Sequence, residues 1–340
     1  MNLKKGFEYL RDYIIKHWLS LLVSLIGTTG VIYYLVRYSS ELIRLKQLSY
    51  LQIITLSVIT IIIQIVSAWF TLLLVQFFNV RMSIGSALSL NTSSAVVNII
   101  PFGAVGFRAL YLKRVYGLNY LNYGLMMFCN LFVVYVVGGL AGLIGLLLIS
   151  NMHVSFIPLM LIFIVYILGS LAVLGFLIRL DQKRRVDEAI LARLPFPKKV
   201  IDIIASILDG FGLLGTHPQT IIALLGTGVI SQILLGVKMW LIGIWLGYPL
   251  TLGGGIILNS LSLVVSALPI PNNILGLREA VSGLGATALG ISAVRGVIMA
   301  GLDRILSTGW NLIIGIICLL IIRKNISAFE NGTDSSSGEQ

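Results

Sequence analysis

The sequence predicts an all-α polytopic membrane protein: about six full spans plus two re-entrant helical hairpins in an inverted repeat. Composition is the first observation behind this. Of 340 residues, 57% are hydrophobic and 11% charged, and mean hydropathy is +0.99. A soluble domain carries about a quarter charged residues, and no single core could hide this much apolar surface from water. The second observation is run length, because crossing a hydrocarbon layer takes about 20 consecutive apolar residues. The third is charge placement. The net charge of +11 resides mainly in short polar connections between apolar runs. That is the positive-inside pattern and not a nucleic-acid surface, so no nucleic-acid partner is expected.

Residues 1–17 form a charged, amphipathic, cytoplasmic N-terminus without a cleavage signal, so the first apolar run is expected to be retained as a helix. Spans follow at about 18–36, 51–78, 122–150, 156–178 and 219–247, and a sixth, interrupted by charge, at 293–322. Between them, 84–101 and 252–269 are shorter, rich in Ser, Gly and Asn, and closed by Pro101 and Pro269. Each leads into a second Gly-containing segment, 103–120 and 274–291. Interrupted helices at membrane depth need protein or a wet cavity around them, which points to two re-entrant hairpins. The basic stretch 179–217 reads as a cytoplasmic connector lying on anionic lipid. Residues 325–340 are expected to be a disordered cytoplasmic tail. The transmembrane domain thus covers 18–324, with half-repeats at about 51–150 and 219–322.

The two hairpin regions resemble each other. Asn91 precedes Pro101 by the same interval as Asn259 precedes Pro269, and NTSSAVVNIIP matches NSLSLVVSALP in character. Arg108 and Arg278 follow at similar distances. Gly117, Met126, Asn130 and Gly142 then align with Gly290, Met299, Asp303 and Gly315 at an offset of 173. With a cytoplasmic N-terminus, fourteen basic residues fall inside and three, Arg37, Arg44 and Lys46, outside. The first hairpin then opens to the cytoplasm and the second outward, which makes the repeat inverted. Inverted repeats with broken helices at matching positions are a pointer to a transporter-type site.

Ionisable groups in apolar runs are functional candidates because they are costly there. Arg108 and Arg278 occupy equivalent places, and a guanidinium offers a donor fork suited to phosphate or carboxylate. Two roles stay open for them: holding an anionic headgroup, or, for Arg278, neutralisation by Glu279 or Asp303. Asp303 and Arg304 are helix neighbours that point apart, so Asp303 needs a partner on another element, from Arg278, Arg295 or Lys238. Lys238 is either paired or lines the cavity. Asn91 and Asn259 complete the candidate binding set. Pro101, Gly103, Gly106, Pro269, Pro271 and Gly276 are expected to shape hairpin tips and close helix approaches. Cys129 and Cys318 read as small buried hydrophobes. The three histidines stand at span ends, and no metal or cofactor is expected.

The segments PFGAVGFRALYLKR at 101–114 and LPIPNNILGLREAVSGLGATALGI at 268–291 resemble the flippase-like transmembrane domain of lysylphosphatidylglycerol synthases. The resemblance rests on the proline turn, Gly276, Arg278 and Glu279, with Arg304 in the last span, and it extends from about 18 to 324. Asn272 and Asn273 depart from the family pattern, and the first motif has no acidic residue near Arg108. The resemblance implies a protein that moves lipid without synthesising it, as the family moves aminoacyl-phosphatidylglycerol. The expected function is translocation of an anionic phospholipid, aminoacyl-phospholipid or polyprenyl-linked lipid in the cell membrane, with both termini cytoplasmic. The rival expectations are a lipid-binding partner subunit of a lipid-modifying enzyme or glycosyltransferase, and a transporter of a small anion. A homo-oligomer is compatible with the sequence.

Overall fold

The computed structural model describes residues 45–46, 48–98, 103–149, 156–186, 218–267 and 276–334. The N-terminal segment with the first expected span, the expected hairpin tips with Pro101, Pro269 and Pro271, most of the basic connector and the end of the tail lie outside them. Among the described residues there are nine helices and no strand. These are α1 (Tyr50–Gln76), α2 (Ile84–Val97), α3 (Gly103–Tyr116), α4 (Tyr120–Leu147), α5 (Phe156–Val186), α6 (Pro218–Trp245), α7 (Leu252–Ala267), α8 (Leu277–Ala288) and α9 (Ala293–Asp334).

Five of them, α1, α4, α5, α6 and α9, hold stretches long and apolar enough to cross a membrane. They coincide with five of the six expected spans. Their starts are set by local chemistry where a cap is present. Ser49 and Gln52 form a reciprocal capping box before α1, with Ser49 N–H donating to Gln52 Oε1 at 2.9 Å. Asn119 caps α4 by accepting from Asn122 N–H at 2.7 Å. One expectation is corrected at the far end. The last helix continues beyond Lys324 to Asp334, into the segment expected to be disordered. The run Asn325–Glu330 contains neither Pro nor Gly, so nothing in it stops propagation.

The order long, short, short, long occurs twice, as α1–α4 and as α6–α9. Each set supplies most of one core, to which the other adds a buried leucine, Leu224 to the first and Leu56 to the second. Ala68, Leu90, Leu112, Met126 and Cys129 pack within the first, and Met239, Ile242, Ala286, Val294 and Met299 within the second. The sets interlock through their first short helices: α2 packs on α9, and α7 on α4. Both crossings need backbone-to-backbone approach. A Cβ at Gly315 would collide with the Thr92 carbonyl, and one at Gly253 with the Gly145 carbonyl. Outward-facing large residues such as Trp69, Val165, Leu168, Ile222 and Ile305 are more than half exposed. So much bare apolar surface is what a lipid-facing exterior presents.

Polar residues of the short helices are turned inward. Thr92, Ser93, Ser94, Ser260 and Ser262 are buried. Most are satisfied within their own helix, as where Thr92 Oγ1 donates to Leu88 O at 2.8 Å and Ser262 Oγ to Leu258 O at 2.9 Å. Ser93 Oγ instead donates across to Gly315 O at 3.4 Å, tying α2 to α9.

Candidate functional site

The second half holds a closed charge network. Asp303 on α9 is bridged by two cations from different helices: Lys238 Nζ of α6 at 2.8 Å and Arg278 Nη2 of α8 at 2.9 Å. Lys238 Nζ also donates to Ser307 Oγ at 2.9 Å. One turn of chemistry away, Arg304 Nη1 meets Glu279 Oε1 at 2.9 Å. The other oxygen of Glu279 accepts the Gly276 N–H at 2.8 Å. Gly276 has φ +107°, a left-handed conformation that glycine tolerates and side-chain-bearing residues rarely adopt. The Gly-Leu-Arg-Glu sequence therefore has a mechanical reading. Glycine makes the turn into α8, glutamate caps it and holds Arg304, and arginine reaches Asp303.

This network is largely sealed. The side chains of Lys238, Asp303 and Glu279 are 0–5% exposed, and only Arg278, at 29%, keeps substantial open surface. The structure thus pairs Lys238, which the sequence left as either paired or cavity-lining. It also gives Asp303 the cross-element partners its helix geometry requires. In this conformation Lys238 and Asp303 are occupied by each other, Ser307 and Arg278, and Glu279 by Arg304 and the Gly276 N–H.

The first half is built differently. Arg108 on α3 lines a cavity of about 220 Å³ bounded by α1, α2, α4 and α6. Its Nε is buried without a hydrogen-bond partner, and Arg108 forms no ion pair with a described residue. Around it stand Ser67, Thr71 and Asn91 on one side and Asn130, Ser231 and Gln232 on the other. Asn91 is oriented by α1, since its Nδ2 donates to Ser67 O at 3.1 Å and to Thr71 Oγ1 at 2.9 Å. Asn259 is not part of this cavity wall; its Nδ2 donates to Gln232 Oε1 and so orients a residue that is. Gly103 lies so near the end of α2 that a Cβ would strike the Val97 carbonyl. At Gly106 a Cβ would meet open space, so no close approach explains that glycine.

Set against each other at the offsets of 168 to 173 that relate the two halves, the sites differ in four residues and agree in one. Arg278 corresponds to Arg108. Asp303 corresponds to Asn130, Lys238 to Phe70, Ser307 to Val134 and Glu279 to Ala109. Phe70, Asn130 and Val134 all line the Arg108 cavity. One arginine is thus neutralised by a carboxylate on another helix, while the other has only neutral groups around it among the described residues. Sequence reasoning paired Asn130 with Asp303 but assigned Asn130 no role, and it missed Ser67, Thr71, Ser231 and Gln232. Single small polar residues in a long apolar span carry no signal until their neighbours are known.

The family model described as "Lysylphosphatidylglycerol synthase TM region" matches residues 17–315. The chain belongs to this family. It is a multi-pass membrane protein related to the transmembrane region of these synthases, a domain separate from their catalytic part. Searches of curated proteins and of solved structures find no match. Among the described residues no group of His, Cys, Asp and Glu could hold a metal ion.

Proposed function

We propose that this protein translocates an anionic lipid across the cell membrane, holding the headgroup in the Arg108 cavity while the acyl chains stay in lipid. The observation that carries the reading is the guanidinium of Arg108, with no counter-charge among the described residues, in a polar cavity beside membrane-length helices. Asn130 lies about 15 Å from the start of α4, and Gln232 about 21 Å from the start of α6, at 1.5 Å per residue. Both are well inside the helices, where a buried, unpaired charge is destabilising unless an anion visits it. The family membership supports lipid as the substrate. We read the two helix sets as an inverted repeat with re-entrant hairpins, each half opening to its own side, and the charge count supports cytoplasmic termini. On this reading the sealed Arg278–Asp303–Lys238 network acts as a fixed clamp for the second half, and transport needs no chemistry from the protein.

The test is translocation of fluorescent lipids in proteoliposomes. Arg108→Gln is expected to lower transport of an anionic lipid about ten- to hundred-fold, the worth of a charge-assisted hydrogen bond, with folding retained. Wild-type rates in the variant would refute the site. Uptake of a soluble anion by protein that moves no lipid would instead identify a solute transporter.

A further inference from the structure

We infer that the headgroup taken by the Arg108 cavity is a phosphate ester whose other groups are uncharged hydroxyls, as on glycerol or a sugar, and not one bearing an ammonium group. This rests on the proposed lipid-binding role of the cavity and names the substrate class. Among the described residues of the cavity wall, Arg108 is the sole ionised side chain. The remaining polar groups are hydroxyls and carboxamides, Thr71, Asn91, Asn130, Ser231 and Gln232 among them. One phosphate monoanion or diester neutralises Arg108, and neutral hydroxyls match neutral donors and acceptors.

An aminoacylated or amine-bearing headgroup brings a cation as well, and no described lining residue is a carboxylate to receive it. A buried ammonium without a counter-charge is disfavoured. Ammonium groups can also be held by aromatic cages, but Phe70 is a lone aromatic face among the described lining residues. The second half shows what a carboxylate would do here. Asp303, at the position matching Asn130, holds two cations at 2.8 and 2.9 Å. Asn130 is therefore the specificity-determining position: its neutral carboxamide leaves Arg108 available to an anion and offers nothing to a cation.

The experiment measures binding to the full-length protein in detergent, by ligand-induced shift in thermal unfolding. The probes are short-chain phosphatidylglycerol, phosphatidylcholine, lysyl-phosphatidylglycerol and free glycerol 3-phosphate, against wild type, Asn130→Asp and Arg108→Gln. Phosphatidylglycerol is expected to bind at least ten-fold more tightly than the two ammonium-bearing lipids. Both variants should weaken it ten- to hundred-fold, and unfolding without ligand shows that each is folded. Glycerol 3-phosphate binding as well as the lipid would keep the chemistry and assign a soluble source; a lipid-only response assigns the membrane. Equal or tighter binding of either ammonium-bearing lipid, or unchanged phosphatidylglycerol binding in a folded variant, would overturn the inference. A parallel translocation assay separates it from the transport reading. Movement of lysyl-phosphatidylglycerol in preference to phosphatidylglycerol leaves transport standing and sinks the headgroup class. Selective binding with no lipid moved does the reverse.

Discussion

Arg108 and Arg278 stand at matching places in two helix sets of the same order, yet their surroundings have opposite character. Arg278 closes onto Asp303, which Lys238 also holds, and the group is sealed against Ser307 and the neighbouring Glu279–Arg304 pair. Arg108 faces a cavity among Phe70, Asn130 and Val134, with no carboxylate in reach among the described residues. The difference teaches that a repeated scaffold can hold one charge for structure and the other for a ligand. What decides is the residue on the adjacent long helix, aspartate in one half and asparagine in the other.

The comparison breaks most visibly at Asp303. Asp303→Asn leaves the buried Lys238 and the half-open Arg278 without their carboxylate, and we expect a loss of about 3–5 kcal/mol, the usual consequence of halving a buried ion pair. The measurement is thermal unfolding in detergent. Adding Lys238→Phe, which installs the residues of the first half, should recover part of that loss. A double variant as unstable as the sum of the two singles would show that the charges were not compensating one another.

Next in size is Glu279→Gln, which keeps a carbonyl for the Gly276 N–H but removes the charge partner of Arg304. It should cost roughly 1.5–3 kcal/mol, as for hydrogen bonds to charged groups, read by the same unfolding measurement. An unchanged melting temperature would mean that Arg304 finds another partner at no loss. Gly276→Ala should cost about 1–2 kcal/mol, because a Cβ is strained at positive φ. In the first half the matching glycine, Gly106, has open space around it and no left-handed backbone. Gly106→Ala should therefore stabilise, by about 0.4–1 kcal/mol, as a helix position with room for a Cβ does, and equal losses at the two glycines would erase this part of the contrast.

The sequence made some of this plain and hid the rest for physical reasons. Five spans were legible because a lipid-facing helix must be apolar along its whole local stretch, so the signal is contiguous. Both short helix pairs were legible from Ser, Gly and Asn gathered between prolines, and α2 and α7 begin where expected, at Ile84 and Leu252. That Asp303 would need a partner elsewhere followed from helix geometry. Which partner did not, since Lys238, Arg278 and Arg295 were equally available until tertiary packing chose two. The cavity was the least visible feature. Ser67, Thr71, Ser231 and Gln232 lie in spans that read as simple lipid crossings, and they become a site only where α1, α4 and α6 converge on α3. The extent of α9 was missed because a polar composition was taken for disorder where no residue breaks the helix.

The most direct measurement takes the division of labour itself: thermal stability and phosphatidylglycerol translocation measured together for Arg108→Gln. No described ion pair is lost in this variant and a buried unpartnered charge is removed, so its unfolding transition should be no lower than that of wild type. Its transport should fall about ten- to hundred-fold. Full transport in the variant would contradict the account, because the first half would then bind its lipid without the charge that sets it apart from the second.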